Sequence, residues 1–318
     1  MILPPDTQEA LLSENCQLIP GPRYKEQMNT EAQLVLSDVD NTLVPDESAG
    51  LPTPRVTRIF HEAGEKVPTG LATARQPQKF EYLARHLKLT GKSILSNGAQ
   101  IFDGKEGLMV VERALQIQTA MDIARALQAN RVDHWIQDGG VDYRWIPQGK
   151  VARQAKAASE GLGLYRRPQD VLNPKKGFVD VPSYIPVKPF IIVAHNVAAA
   201  APIQEMVKGH KDQRITAFIA HEHKYENGST FDVFITDKKS NKQEALLEIE
   251  QMEKIPLEEF LAIGDGHNDK VLIEKAGLGV AMGNAVDVVK QVAVFIAPDL
   301  EHDGVAIAIE ELVLKRTS

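Results

Sequence analysis

Two short apolar runs, far apart in the chain, each end abruptly in an aspartate. The first is Gln33-Leu34-Val35-Leu36-Ser37, stopped by Asp38. The second is Phe260-Leu261-Ala262-Ile263-Gly264, stopped by Asp265. A brief, continuous apolar run is what a strand buried on both faces requires, and such strands belong to parallel sheets covered by helices. The intervening spacing agrees. Residues 52–65 have a helical period, with Val56, Ile59 and Phe60 on one face and Gly64 suited to a C-terminal cap. Residues 66–72 read as a second strand, weakened by Pro68 and Gly70. Residues 78–89 read as a helix and 93–96 as a third strand. Strand, helix, strand, helix, strand predicts an α/β fold: a parallel sheet with helices on its faces.

The texture changes near residue 103. A strand is expected over 110–113 and a helix over 114–130, with Ile117, Ala120, Met121, Ala124 and Leu127 on one stripe. Strands are expected over 134–138 and 143–147, around Gly139-Gly140, and again over 189–195, 215–220 and 229–236, with a helix near 198–208. After residue 238 the first rhythm returns. Helices are expected over 241–253, 268–276, 285–291 and 304–314, and strands over 260–264, 279–282 and 293–296. The simplest organisation is an N-terminal extension over 1–30, with one short helix over 7–15, and a core made from 31–102 and 238–318. An α+β unit over 103–237 is inserted between the core's two halves.

Composition bounds the function. The chain has 318 residues, about two domains at roughly 150 residues each. Hydrophobic residues make up 43% and charged residues 25%, which suits a globular protein and excludes a wholly disordered one. No stretch reaches the roughly 18 uninterrupted apolar residues of a membrane span, and the first residues lack the pattern of a secretory signal. The net charge of −7 does not suit a protein that coats nucleic acid, whose binding rests on cations meeting phosphates. One cysteine, Cys16, forms no internal disulfide and fits a reducing cytoplasm.

The chemistry gathers where strands end, which is where open α/β sheets bind ligands. Asp38-Val39-Asp40-Asn41-Thr42 follows the first run. Two carboxylates so close repel by about 4 kcal/mol at an effective dielectric near 20, and a hard cation such as Mg²⁺ removes that repulsion. Alone, the motif equally suits a solvated strand end. Gly264-Asp265-Gly266-His267-Asn268-Asp269 follows the second run, with Asp265 and Asp269 on one side of a nascent helix. Alone, it equally suits a glycine turn with a helix cap. Thr73-Ala74-Arg75 follows the second strand, where Thr73 offers a hydroxyl and an N–H to an anion or simply caps a helix. Lys242 opens a helix and, on its own, reads as a surface lysine.

Taken in order, this set resembles the haloacid dehalogenase-like superfamily of phosphotransferases, over residues 33–102 and 238–314. Ser96-Asn97-Gly98-Ala99, Val280-Ala281-Met282-Gly283-Asn284-Ala285 and His302-Asp303-Gly304-Val305-Ala306 are similar to the Cof-type branch, which carries a large inserted cap. The chain departs from that pattern in Ala74, where many relatives have glycine, and in the extension 1–30. The resemblance implies a Rossmann-like core and a Mg²⁺-dependent phosphatase acting on a small phosphorylated metabolite, a sugar phosphate above all, in the cytoplasm. It implies Asp38 as the nucleophile that becomes an aspartyl-phosphate, and Asp40 as the general acid and base. Mg²⁺ would be held by Asp38, the Asp40 main-chain carbonyl, Asp265 and Asp269. Thr42, Thr73, Ala74, Lys242 and Asn268 would hold the phosphoryl group, and residues 103–237 would form a cap that shuts out water.

Two rivals stand beside this reading. A phosphosugar mutase uses the same aspartate pair, and a non-catalytic binding or regulatory protein retains the fold without the chemistry. No nucleic-acid or membrane partner is expected, and the chain is read as a monomer or small homo-oligomer. In the inserted unit Arg144, Lys188, His195 and Asn227 are candidate polar contacts. His221-Glu222-His223 has two histidines on one strand face but no evident third ligand, so it reads as a strand end. Trp135 and Trp145 read as packing residues.

Overall fold

A computed structural model describes residues 17–24, 30–45, 50–138, 141–145, 188–225 and 228–315. The expected helix over 7–15, Cys16, the Gly139-Gly140 turn and Asn227 lie outside the described residues, as does the side chain of Arg144. No described helix is long and apolar enough to cross a membrane. The described residues up to 112 and from 240 onward form one compact unit; those from 113 to 239 form a second.

Strand β1 is Ile19–Pro20 and β2 is Leu34–Ser37, buried throughout. Helix α1, Pro54–Gly64, starts on Thr53, whose hydroxyl accepts from the Val56 N–H at 3.2 Å, and on a proline whose missing N–H costs nothing there. It buries Val56, Ile59, Phe60 and Ala63. Gly64 does not act as a left-handed cap: Glu65 follows it at φ −78, and the helix closes through N–H groups of Lys66 and Val67 on the Ala63 carbonyl. Strand β3 is Thr69–Leu71, α2 is Pro77–Leu87 and β4 is Lys92–Leu95. Then β5, Gln100–Asp103, and β6, Leu108–Glu112, turn back on β4 as an antiparallel ribbon.

That ribbon corrects the expectation of a third strand in the parallel ladder. Strand β4 joins the core sheet through a parallel bridge between Ala72 and Ile94. The Ser93 hydroxyl, not a main-chain carbonyl, accepts the Leu71 N–H at 3.0 Å. Pairing with β5 also draws 100–112 into the first unit, so the compact inserted unit starts at 113 rather than 103.

Within the second unit, α3 is Ile117–Ala129, β7 is His134–Asp138, β8 is Val141–Trp145 and β9 is Pro189–Val197. Helix α4 is Ala201–Lys208, β10 is Ile215–Tyr225 and β11 is Gly228–Asp237. The sheet runs β10-β11-β9-β7-β8, all antiparallel. Its core sets Ala120, Ile123, Ala124 and Leu127 of α3 and Ile203 and Val207 of α4 with Ile136, Ile192, Ala194, Val233 and Ile235 of the sheet. The buried face of α3 differs from the expected stripe. Ile123 joins it, Ile117 at the first helical position is 42% exposed, and Met121 is half-buried.

The chain returns through α5, Lys242–Glu253, β12, Phe260–Gly264, and α6, Lys270–Lys275. It closes with β13, Leu278–Ala281, α7, Asp287–Lys290, β14, Phe295–Ile296, and α8, Gly304–Ile309. The core sheet runs β1-β14-β13-β12-β2-β3 and is parallel except for β1. Thus part of the N-terminal extension is a sheet edge, fastened by Arg23, whose guanidinium donates to the Glu274 carbonyl at 2.6 Å and the Val292 carbonyl at 3.3 Å. The two apolar runs, β2 and β12, lie side by side at the sheet centre, Ile263 opposite Ser37.

Candidate active site

Because β2 and β12 run parallel and adjacent, the loops that leave them start together. The Asp38 N–H donates to the Ile263 carbonyl at 2.8 Å, and Asp38 is buried. The chain then curls: the Leu43 and Val44 N–H groups donate to the Val39 carbonyl at 2.8 and 3.1 Å, and the Asn41 N–H to the Val44 carbonyl at 2.7 Å. Beyond β12, Asp269 folds back over Gly264, where a Cβ would stand 2.7 Å from the Asp269 Cβ, so only glycine admits it. There the Asp269 carboxylate accepts the N–H groups of Asp265 at 3.3 Å and Gly266 at 3.0 Å.

The third piece comes from α5. Asn241 caps that helix by accepting the Glu244 N–H at 2.9 Å. The cap is seated against Gly98 (φ +104), where a Cβ would stand 2.2 Å from the Asn241 carbonyl oxygen. Lys242, the first helical residue, is 3% exposed. Its Nζ donates to Asp38 Oδ1 at 2.8 Å, Asp269 Oδ1 at 2.5 Å and the Ala72 carbonyl at 2.7 Å. An ammonium has three hydrogens, so all three are engaged within the protein.

Carboxylate oxygens of Asp38, Asp265 and Asp269 lie within 4.8 Å of one another. Burial, then the charge of Asp269, raises the Asp38 carboxyl well above its ordinary range against the pull of Lys242. Burial and Asp269 likewise push Asp265 up to about 6, although the Thr42 hydroxyl donates to it at 3.0 Å. Burial pulls the Lys242 ammonium down, but Asp269 and Asp38 outweigh it and hold it above its usual value. When all three carboxylates are ionised, the one ammonium leaves two negative charges uncompensated. Hard oxygen donors, tight convergence and that deficit fit a divalent cation such as Mg²⁺.

Asp40 stands apart from this trio. Its carboxylate is gripped at both oxygens by Arg75, Nη2 to Oδ1 at 2.7 Å and Nε to Oδ2 at 3.2 Å. The Arg75 side chain is 1% exposed and also donates to the Tyr82 hydroxyl at 2.8 Å. The sequence shows Arg75 but not this role. The available signal is an arginine two residues beyond the strand-end Thr73.

The residues expected at the phosphoryl group are distributed unevenly. The Thr73 N–H is already given to the Ile94 carbonyl at 2.8 Å, which removes it as an anion donor; its hydroxyl oxygen accepts from the Arg75 N–H at 3.0 Å. Thr42 is buried, and its hydroxyl proton points at Asp265 instead. Asn268 is exposed at the rim of the Gly266 turn. Among the described residues no acceptor takes the N–H groups of Val39, Asp40 or Ala74.

The chain is similar to known phosphatases and hydrolases. A phosphatase of Bacillus subtilis named for 5-amino-6-(5-phospho-D-ribitylamino)uracil is 27% identical over 301 residues, covering 90% of this chain and 98% of that one. The phosphatase YwpJ of Bacillus subtilis is 25% identical over 297 residues, covering 88% of this chain and all of its own length. A haloacid dehalogenase-like hydrolase of Bacteroides thetaiotaomicron shares the fold at a TM-score of 0.71 and 21% identity, over 88% of this chain and 99% of that one. Residues 35–309 match the haloacid dehalogenase-like hydrolase family as a whole, a span that takes in both aspartate loops and Lys242, and the protein belongs to that family.

Proposed function

We propose that the protein is a Mg²⁺-dependent phosphatase that hydrolyses a small phosphorylated metabolite, a sugar or sugar-alcohol phosphate, through an aspartyl-phosphate on Asp38. One observation carries this reading: a buried carboxylate at the end of β2, tied to Lys242 and flanked by Asp265 and Asp269, with Asp40 held by Arg75 two residues on. The similar ribityl-phosphate phosphatase supports the substrate class.

An Asp38 carboxylate oxygen bonds to phosphorus as the ester P–O bond breaks. Asp40 gives its proton to the departing alkoxide. Asp40 then takes a proton from a water whose oxygen attacks phosphorus, the P–O bond to Asp38 breaks, and inorganic phosphate and free Asp38 remain. Arg75 fixes the plane of the Asp40 carboxyl group throughout. The N–H groups of Val39, Asp40 and Ala74 and the Thr73 hydroxyl are the donors for the phosphoryl oxygens. Lys242 joins them by exchanging one of its three protein acceptors for the phosphoryl group. Asp38, Asp265 and Asp269 would hold a Mg²⁺, which would supply positive charge to the transferring group. We place the reaction in the cytoplasm.

The test is a panel of phosphorylated sugars and polyols, with p-nitrophenyl phosphate, assayed on wild type and Asp38→Asn. Wild type should release phosphate with Mg²⁺ and none with EDTA, and Asp38→Asn should be inactive while folded. Phosphate release by Asp38→Asn at the wild-type rate would exclude the covalent route.

A further inference from the structure

We propose that His195, His223 and Asp232, in the inserted unit, form a second metal site that selects a transition-metal cation such as Zn²⁺. The three come from three neighbouring strands, β9, β10 and β11. His195 Nδ1 lies 2.7 Å from Asp232 Oδ1, and His223 Nε2 lies 3.1 Å from Asp232 Oδ2. One ligand atom from each falls within 4.8 Å of the other two. Ligands about 2.0–2.1 Å from a tetrahedral Zn²⁺ stand about 3.4 Å apart, so admitting the ion opens the His195–Asp232 pair by about 0.7 Å and the His223–Asp232 pair by about 0.3 Å. Two imidazoles and one carboxylate are the donors that suit Zn²⁺ and its neighbours, not Mg²⁺.

The backbone is built around this arrangement. The β11–β9 register slips between Phe231 and Val233, which leaves His195 and Asn196 opposite Asp232 alone. The β10–β11 register slips between Ile219 and His221, on the other side of the same residue. Bulges of this kind re-aim side chains and are over-represented beside active sites. Asn196 pays for its bulge with φ +53, a strained conformation for a residue other than glycine. Its N–H meets Asp232 Oδ1 at 2.9 Å, the outer contact that orients a ligating carboxylate. Ala194 and Val233 pack under the helices, so His195 and Asp232, their neighbours in sequence, project from the opposite sheet face. There Asp232 is 8% exposed beneath His195 at 23% and His223 at 38%. The Trp135 ring, 5.2 Å from that of His195, supports the imidazole.

The site is tested on the full chain with saturating Mg²⁺ present, so that the carboxylate trio of the core is filled. Zn²⁺ is measured by equilibrium dialysis and Co²⁺ by its visible d–d absorption. Wild type should retain one equivalent of Zn²⁺ and give the intense Co²⁺ bands of four- or five-fold coordination. His223→Gln and Asp232→Asn should lose both. Zn²⁺ should raise the thermal midpoint of wild type and leave that of His223→Gln unmoved; the exposed imidazole can be replaced without unfolding the sheet, and circular dichroism of the metal-free variant checks this. No Zn²⁺ uptake in the presence of Mg²⁺, or equal uptake by wild type and both variants, would overturn the proposal and leave a hydrogen-bonded cluster.

Discussion

The molecule holds two clusters of ionisable side chains, and they solve opposite problems. In the core, Asp38, Asp265 and Asp269 are pressed together around Lys242, and two of the three carboxyls are raised by burial and by one another. In the inserted unit a single carboxylate, Asp232, serves two imidazoles. Burial would raise it, but His195, the Asn196 N–H and His223 hold it far below its ordinary range. One cluster lacks positive charge and consists of hard oxygen donors. The other is electrostatically satisfied and offers nitrogen. The lesson is that a polar cluster's character is set by which element delivers each side chain: strand-end loops crowd carboxylates together, whereas bulged strands space donors along a face.

The contrast is broken most severely at Asp38. Asp38→Asn should reduce phosphate release to background in a steady-state assay. Asp40→Asn should cost about 10²–10⁴-fold in kcat, the usual worth of a positioned proton donor. Arg75→Lys keeps the charge and loses the two-point grip; it should lower kcat by up to ~10²-fold with KM little changed and a displaced pH profile. A rise in KM alone, with kcat unchanged, would mean that Arg75 does not act through Asp40.

The two clusters should also bend stability against pH in opposite directions when no metal is bound. Asp265 titrates near 6 folded, against 3.8 in the free residue, so the native state holds its proton more tightly. Metal-free stability from this group is therefore present below about pH 3.8 and is lost as pH rises toward about 6. Asp232 is lowered, so its contribution is present above 3.8 and is lost as the solution turns more acid. Thermal melts in EDTA and in Mg²⁺ should show Mg²⁺ stabilising more at pH 7 than at pH 5. Asp232→Asn should flatten the acid side only. The smallest effect is at the helix cap: Asn241→Ala should cost about 1 kcal/mol in a denaturant melt.

Much of the core was legible because its clustered carboxylates directly follow apolar runs: Asp38 after Leu36 and Ser37, Asp265 after Ile263 and Gly264. Lys242 was legible through its place in an ordered motif set and not through its own surroundings. The grip of Arg75 on Asp40 was not, because it joins residues from two loops and leaves no period. The Thr73 N–H was misassigned for a related reason. It depends on where β4 sits, and the parallel bridge between Ala72 and Ile94 puts the Ile94 carbonyl on that N–H. The histidine cluster was hidden by register. A period of two pairs His221 with His223 on one strand, whereas the contacts run from His223 to Asp232 and His195, and two bulges decide that alignment.

Gly98 has a consequence for how such a chain tolerates insertion. The polypeptide leaves the core after Glu112 and comes back at Ser240, and two residues later it must deliver an ammonium to within 2.8 Å of Asp38. Contour length cannot set that accuracy over so long an excursion. A steric seat can: the missing side chain at Gly98 is the socket into which the returning Asn241 locks. The placing of Lys242 thus rests on the socket and its plug and not on the length of the chain between Glu112 and Ser240.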